Sequence, residues 1–204
     1  MYEMIWRFDV ETLDEERLVR PIFERLGDSD LFEPGDYDLN QKEQWRHFDL
    51  DRVVVDALTQ RTQLVRIKGG AAGEMAMVAM GKHGEEPTAV VRLSDAHAPS
   101  EIVADWSTLF EKMPLQTAIL TSPAWREAVD AAGIDWDEGR VPRAIVCAWR
   151  PDGVPEAVSE LESRAADGPI SLERREGCTV VWLAPAAEIE GAAHREALER
   201  MFTP

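Results

Sequence analysis

The spacing of apolar residues in the first half of the chain alternates between the period of a strand and that of a helix. In Glu3–Val10, apolar side chains occupy every second position, which predicts a strand. From Thr12 or Asp14 to Leu26 they recur every three or four positions, which predicts a helix, and Pro21 predicts a kink or a split in it. The same reasoning predicts a second helix, three strands and a third helix, over Asp49 or Asp51 to Thr62, Gln63–Lys68, Glu74–Lys82, Pro87–Ser94 and Ser100–Met113. The Ala and Met content of the middle strand would also suit a helix.

The second half of the chain continues with strands and helices in mixed order. The predicted elements are a strand Gln116–Thr121, a helix from Ser122-Pro123 to Gly133, a strand Val141–Arg150, a helix Pro155–Ala166, a hairpin of Pro169–Arg175 and Cys178–Ala184 around Glu176-Gly177, and a helix Glu188–Phe202. This order predicts an α+β fold, mixed, with a largely antiparallel sheet and helices on one face. We predict one domain over residues 1–204, with residues 1–113 and 114–204 as candidate related halves.

Residues 28–48 combine carboxylates with apolar and aromatic side chains and show no regular period. This composition predicts a loop, which is either an ordinary solvated connection or a contact surface for a basic partner. Trp45 in this segment either packs locally or, if exposed, adds an apolar anchor. A second acidic loop is predicted at residues 135–139. The candidate partner-binding residues of the two loops are Asp28, Asp30, Phe32, Glu33, Asp36, Tyr37, Asp38, Asp135, Trp136, Asp137 and Glu138, with Phe32, Tyr37 and Trp136 as anchors.

The net charge of the chain narrows the classes of partner that it can bind. The chain has 39 Asp and Glu residues against 22 Lys and Arg residues, a formal net charge of −17 over 204 residues. Residues 1–51 contain 15 of the acidic and 6 of the basic side chains. A field of this sign repels nucleic acid and anionic lipid and attracts cationic proteins. The charge therefore favours a basic protein partner over nucleic acid or a membrane.

The composition predicts a globular protein of the cytoplasm. Apolar residues make up 45% of the chain, enough for a core, but no run of about 18 apolar residues predicts a membrane span. The first residues lack the basic and apolar regions of a secretory signal. Cys147 and Cys178 both lie in apolar runs, so we expect buried thiols, with a disulfide between them as the alternative.

The sequence contains no strong catalytic, metal or cofactor motif. Lys68–Gly73 is rich in glycine but lacks the Gly-Lys-Ser/Thr ending of a phosphate-binding loop, so a hairpin loop is the better interpretation. Asp95 with His97, and Glu190 with His194, offer two metal-binding side chains each, whereas a metal site needs three or more. We therefore predict no catalytic residue, no metal and no cofactor. A hydrolase that uses carboxylates or a divalent ion is the alternative from another class, and a DNA-mimic inhibitor is a third.

Several segments, taken in order along most of the chain, resemble one known family. They are Trp6-Arg7-Phe8 with the acidic helix Leu13–Leu26, then Gln116–Ser122, and finally Gly177–Leu183 with Ala193–Leu198. These segments resemble the opening strand and helix, an inner strand before a Ser-started helix, and the closing strand and helix of immunity proteins of bacterial polymorphic-toxin systems, in particular the family paired with restriction-endonuclease-like toxins. The resemblance implies a cytoplasmic, non-enzymatic inhibitor that binds its cognate toxin.

Charge and resemblance together predict an acidic, non-enzymatic binding protein that neutralises a basic cognate partner, with a bacterial nuclease toxin as the expected partner. A nuclease needs Lys and Arg to hold phosphates, so an acidic inhibitor can occupy the same surface. Electrostatic steering would then speed the association of the two proteins.

Overall fold

The computed structural model describes residues 1–59, 62–82, 85–131, 144–154 and 171–182, which form an α+β protein. Contacts between residues divide the chain into two compact units, the first formed by Met1 and Glu3–Gln116 and the second by Tyr2 and Thr117–Pro204. The predicted fold class is confirmed, and the strand pairs whose register is described run antiparallel.

The strands of the first unit are short and lie side by side. They are β1 (Tyr2–Phe8), β2 (Pro34–Leu39), β3 (Arg46–His47), β4 (Leu64–Gly69), β5 (Met75–Ala79) and β6 (Thr88–Leu93), in the spatial order β3-β2-β4-β5-β6-β1. In β4, β5 and β6 alternate side chains are buried, with Ile67 opposite Ala76 and Ala76 opposite Val91. This alternation is typical of an antiparallel sheet with one face on the core. The segment Glu74–Lys82 is therefore a strand over Met75–Ala79 and not a helix.

The helices of the first unit are α1 (Glu16–Asp28), α2 (Leu50–Thr59), α3 (Pro99–Ser107) and α4 (Leu109–Lys112). Four residues of the apolar stripe predicted for α1 are buried: Val19, Ile22, Phe23 and Leu26. Of the kink or split predicted at Pro21, the split is wrong, because α1 continues through this residue. The helix also starts later than predicted, because Leu13 is fully buried and its N–H donates to the carbonyl of Met80 at 2.9 Å. The predicted helix Ser100–Met113 is divided at Thr108, whose hydroxyl donates to the carbonyl of Asp105 at 2.9 Å.

Residues 28–48 do not form a single loop, and this is the main correction to the sequence-based prediction. Residues 34–39 form β2, which pairs with β3 on one side and with β4 on the other. Tyr37 and Leu39 are buried on one face of the sheet, and Asp38 is buried on the other. The carboxylates conceal the strand pattern in the sequence, because carboxylates ordinarily face solvent whereas Asp38 is buried here.

The second unit contains its own set of strands. These are β7 (Leu115–Thr121, in this unit from Thr117 onward), β8 (Val146–Trp149), β9 (Ser171–Arg175) and β10 (Cys178–Trp182), in the order β7-β8-β10-β9. The helix α5 (Pro123–Ala131) follows β7. The predicted hairpin is confirmed, since β9 pairs with β10 and Gly177 between them has a φ of 76°. The strand β8 begins later than predicted. Ala144 and Ile145 precede it and are buried, but they do not belong to the strand. Residues 141–143 and the predicted helices 155–166 and 188–202 lie outside the described residues.

The structure also describes the two cysteines and the hydropathy of the helices. Cys147 and Cys178 are both buried thiols. Among the described residues, no helix combines the length and the hydropathy needed to cross a membrane.

Candidate partner-binding surface

The segment that leads from α1 into β2 exposes most of its carboxylates. Asp28, Asp30, Glu33 and Asp36 are all exposed. Within the described part of the chain, the first three form no ion pair, and the Asp36 carboxylate lies 4.0 Å from Nδ1 of the exposed His47. The structure therefore places four of the predicted contact residues on the surface, within one short stretch.

Contacts with α3 hold the start of this segment. The hydroxyl of Ser29 donates to the Asp105 carboxylate at 2.9 Å and accepts the N–H of Leu31 at 3.1 Å, and Arg25 donates to the other carboxylate oxygen. Burial raises the pKa of Asp105; the hydrogen bond from Ser29 and the charge of Arg25 counteract this, while the charge of Asp30 raises it further. The negative charge of Asp30 in the exposed segment thus affects the pKa of the half-buried Asp105.

Three of the predicted contact residues are buried, so their predicted role as surface contacts is wrong in this structure. Phe32, Tyr37 and Asp38 are 2%, 0% and 1% exposed. Phe32 packs against Gly69, where an added Cβ would lie 2.9 Å from the Phe32 ring and 2.4 Å from the Glu74 Cβ. Phe32 and Tyr37 are therefore core residues. Gly69, the last residue of β4, allows Phe32 and Glu74 to pack closely at the β4–β5 hairpin.

The buried Asp38 belongs to a network that the sequence analysis missed. Arg66 donates to Oδ2 of Asp38 from Nη2 at 2.6 Å and from Nε at 3.2 Å, and the N–H of Gln44 donates to Oδ1 at 3.0 Å. Burial raises the pKa of Asp38, but the hydrogen bonds from Arg66 and Gln44 outweigh burial and hold the pKa below its ordinary value. Asp38 therefore stays ionised and joins β2 to β4.

A second network lies on the opposite face of β2. The hydroxyl of Tyr37 donates to Oδ2 of Asp56 at 2.7 Å, and Arg46 donates to the same oxygen at 2.6 Å. Burial and the hydrogen bond with Asp56 both raise the pKa of Tyr37. The network joins β2 and β3 to α2, and a signal for it was the polar residue Asp56 within the apolar pattern of α2.

The loop between β2 and β3 has an unusual backbone conformation. Asn40, Gln41 and Glu43 have φ angles of 53°, 56° and 57°, which side-chain-bearing residues rarely adopt. Asn40 suits this conformation best, and its side-chain oxygen accepts the N–H groups of Gln63 and Leu64 at 2.7 and 3.3 Å. The surrounding structure thus imposes a defined shape on a loop whose other side chains are exposed.

Trp45 ends this loop and is half-buried, so its ring packs locally and also keeps part of its surface accessible to solvent. Nζ of Lys68 lies 3.7 Å from the centre of the Trp45 ring, and the guanidinium of Arg66 lies 5.1 Å from it. Both are cation–π contacts, and they attach the loop to β4.

The remaining candidate residues divide into those that the structure describes and those that it does not. Asp135, Trp136, Asp137 and Glu138, together with Glu190 and His194, lie outside the described residues. Asp95 is exposed and lies 3.4 Å from the terminal amine of Met1, and His97 is half-buried. Within the described ranges, no group of three His, Cys, Asp or Glu side chains converges as metal ligands.

Comparison with known proteins adds a likeness of fold. No model of a protein family matches the chain, and no curated protein matches it. The structure is similar to that of the Pseudomonas aeruginosa T6SS protein PA0821, with a TM-score of 0.54 and 12% sequence identity, over 98% of this chain and 72% of that chain. At this identity the likeness concerns the fold, which this chain shares with a T6SS protein.

Proposed function

We propose that this protein is a non-enzymatic binding protein that neutralises a basic cognate partner, as the immunity protein of a bacterial nuclease toxin does. The observation that carries this proposal is the group of exposed carboxylates in segment 28–36, of which Asp28, Asp30 and Glu33 form no ion pair within the described part of the chain. Surface charges of one sign that are left unpaired favour a partner of the opposite sign.

The charge of the whole chain supports the same proposal. A net charge of −17 attracts a cationic protein over distances longer than any single contact and speeds the encounter. A nuclease holds its substrate through Lys and Arg, and an acidic inhibitor that covers these residues competes directly with nucleic acid. The fold likeness to a T6SS protein is compatible with an immunity role in a secretion-linked toxin system. We place this role in the cytoplasm, where a nuclease toxin would meet nucleic acid.

Co-expression with the product of the neighbouring gene tests the proposal. We expect the C-terminal domain of that product to arrest growth when expressed alone, and this chain to relieve the arrest and to purify with it as a 1:1 complex. A neighbour that is harmless, or a toxic neighbour that neither binds this chain nor is relieved by it, would contradict the proposal.

Association kinetics of that complex test the acidic segment. The double variant Asp30→Lys, Glu33→Lys should associate about tenfold more slowly than wild type at low salt, and the two rates should converge at high salt. The matched control is Glu85→Lys, Glu86→Lys, which changes the net charge equally at two exposed residues before β6. Equal slowing in both variants would assign the effect to net charge and remove segment 28–36 from the interface.

A further inference from the structure

The sheet of the first unit has an outward face that carries apolar side chains as well as charges. Alternate residues of β4, β5 and β6 are buried, and the residues between them remain partly accessible to solvent. In β5 these outward residues are Met75, Met77 and Ala79, so the strand offers no polar side chain to solvent. The solvated face of an antiparallel sheet is ordinarily polar.

The strand register gathers the outward apolar residues at the centre of this face. Met77 lies opposite Val90 of β6 on one side and opposite Arg66 of β4 on the other. Met75 lies opposite Arg92 and Lys68 in the same way. Methionine side chains are flexible, and methionine-rich surfaces are common where proteins bind partners. Protein interfaces typically have an apolar centre surrounded by a polar rim.

The rim of this face is cationic, in contrast to the rest of the chain. Arg66 is neutralised by Asp38 at 2.6 Å, and Arg92 is paired with Glu3 at 3.1 Å. Lys68 and Arg7 are exposed and form no ion pair within the described residues. Arg7 lies on the same face as Glu3, since both alternate with the buried residues of β1. Two cations therefore remain uncompensated on one face of a chain whose net charge is −17.

Trp45 extends the apolar centre at the β4 side of the face. Its half-buried ring lies beneath the Lys68 ammonium at 3.7 Å, so the cation and the aromatic surface are presented together. Tryptophan contributes strongly to binding when a partner removes it from water, and the adjoining loop of residues 40–44 is held in one shape.

We propose that this outward face, centred on Met75, Met77 and Val90, is a docking surface for the cognate protein partner, through a segment of that partner in which apolar side chains are flanked by carboxylates. The inference rests on the proposed function and deepens it, because it assigns to the partner a second contact of opposite sign. The partner's basic surface meets segment 28–36, and its acidic-flanked apolar segment meets this face. Charge complementarity selects the occupant: two uncompensated cations favour carboxylates.

Affinity measurements on the complex with the neighbouring gene's product test the apolar centre. The double variant Met75→Ser, Met77→Ser should raise Kd by about tenfold or more, because two side chains that a partner would bury are truncated. The control is Val55→Ser on α2, where a large apolar side chain is 55% exposed outside this face, and its Kd should stay within about twofold of wild type.

Charge reversal tests the chemistry of the occupant. Lys68→Glu and Arg7→Glu should each raise Kd at low salt by about tenfold, with a smaller effect at high salt. Lys112→Glu, an exposed lysine of α4, is the matched control. Unchanged or tighter binding of Lys68→Glu and Arg7→Glu would contradict an acidic-flanked occupant.

Oxidation of wild-type protein provides a readout that needs no variant. Peroxide should convert Met75 and Met77 to sulfoxides more slowly in the complex than in the free chain. A complex that forms with unprotected methionines and unaffected variants overturns this inference and leaves the immunity function standing. Absence of any complex overturns both. Protection in the free chain that grows with its concentration would assign the face to a second copy and overturn the inference as well.

Discussion

Asp38 shows how a strand with an acidic sequence lies within a sheet. Both of its carboxylate oxygens accept hydrogen bonds, one from the guanidinium of Arg66 and the other from the N–H of Gln44. A buried carboxylate without such partners would be strongly unfavourable. The strand β2 can therefore bury Asp38 only because Arg66 and Gln44 supply these hydrogen bonds.

Replacement of Asp38 tests this at the scale of one residue. Asp38→Asn keeps the shape but leaves the Arg66 guanidinium without its counter-charge, so the free energy of unfolding at pH 7 should fall by about 3 kcal/mol, measured by urea denaturation. Asp36→Asn, an exposed carboxylate on the same strand, is the control and should change stability little.

The pH dependence of that difference has a defined sign. Because the pKa of Asp38 is lower in the folded than in the unfolded protein, its contribution is fully present above the unfolded pKa of about 4 and is lost as the pH falls through the folded pKa. The stability gap between wild type and Asp38→Asn should therefore narrow below about pH 4. A gap that is constant down to about pH 2 would show that the charge of Asp38 is not what stabilises β2.

At the scale of elements, the β2–β3 hairpin combines a short edge strand with a loop in an unfavourable backbone conformation. Left-handed φ angles at non-glycine residues cost about 1 kcal/mol or more each, and they persist here because Asn40, Asp38 and Trp45 fix the loop from three sides. The loop thus joins β2 to β3 in one defined conformation.

Two matched glycine substitutions test the loop conformation. Gln41 and Gln44 are both exposed, but only Gln41 has a left-handed φ angle. Gln41→Gly relieves that strain, whereas Gln44→Gly only adds chain entropy to the unfolded state, so the first variant should be about 1 kcal/mol more stable than the second. Thermal or urea unfolding measures this difference. Equal stabilities, or the reverse order, would argue against the left-handed conformation at Gln41.

At the scale of the whole molecule, the dominant property is uncompensated negative charge. A net charge of −17 opposes the compact state, because like charges repel one another when the chain is folded. The charge is concentrated in residues 1–51, which contain 15 carboxylates and 6 basic side chains. The ion pairs of the first unit, such as Arg46–Asp56, act in the opposite direction and weaken with salt.

Salt should therefore stabilise this protein. Raising NaCl from about 20 mM to about 500 mM should increase Tm by about 2–4 °C, as screening of repulsion outweighs screening of the ion pairs. The variant Asp30→Lys, Glu33→Lys, with four fewer net negative charges, should show a smaller increase. A Tm that falls with NaCl would mean that ion pairs, and not repulsion, dominate the electrostatics of the fold.

The sequence by itself determined the elements in which periodicity and turn chemistry agree. The strand around Val90, the α1 stripe and the hairpin at Gly177 follow from local spacing, because side-chain alternation and glycine conformation act within a few residues. The α+β class follows from the order of these elements. The exposure of Asp28, Asp30 and Glu33 was also visible in the sequence as a run of carboxylates near a helix end.

Only the tertiary structure decided which of the acidic and aromatic residues are buried. Asp38 looks like its exposed neighbour Asp36 until Arg66, 28 positions away, is placed beside it by strand pairing. Tyr37 looks like a surface anchor until α2 supplies Asp56 as an acceptor for its hydroxyl. The cationic, methionine-rich face likewise arises from register across strands. These outcomes depend on residues that lie far apart in the sequence and that folding brings together. The residues next to a carboxylate along the chain do not determine whether it is buried.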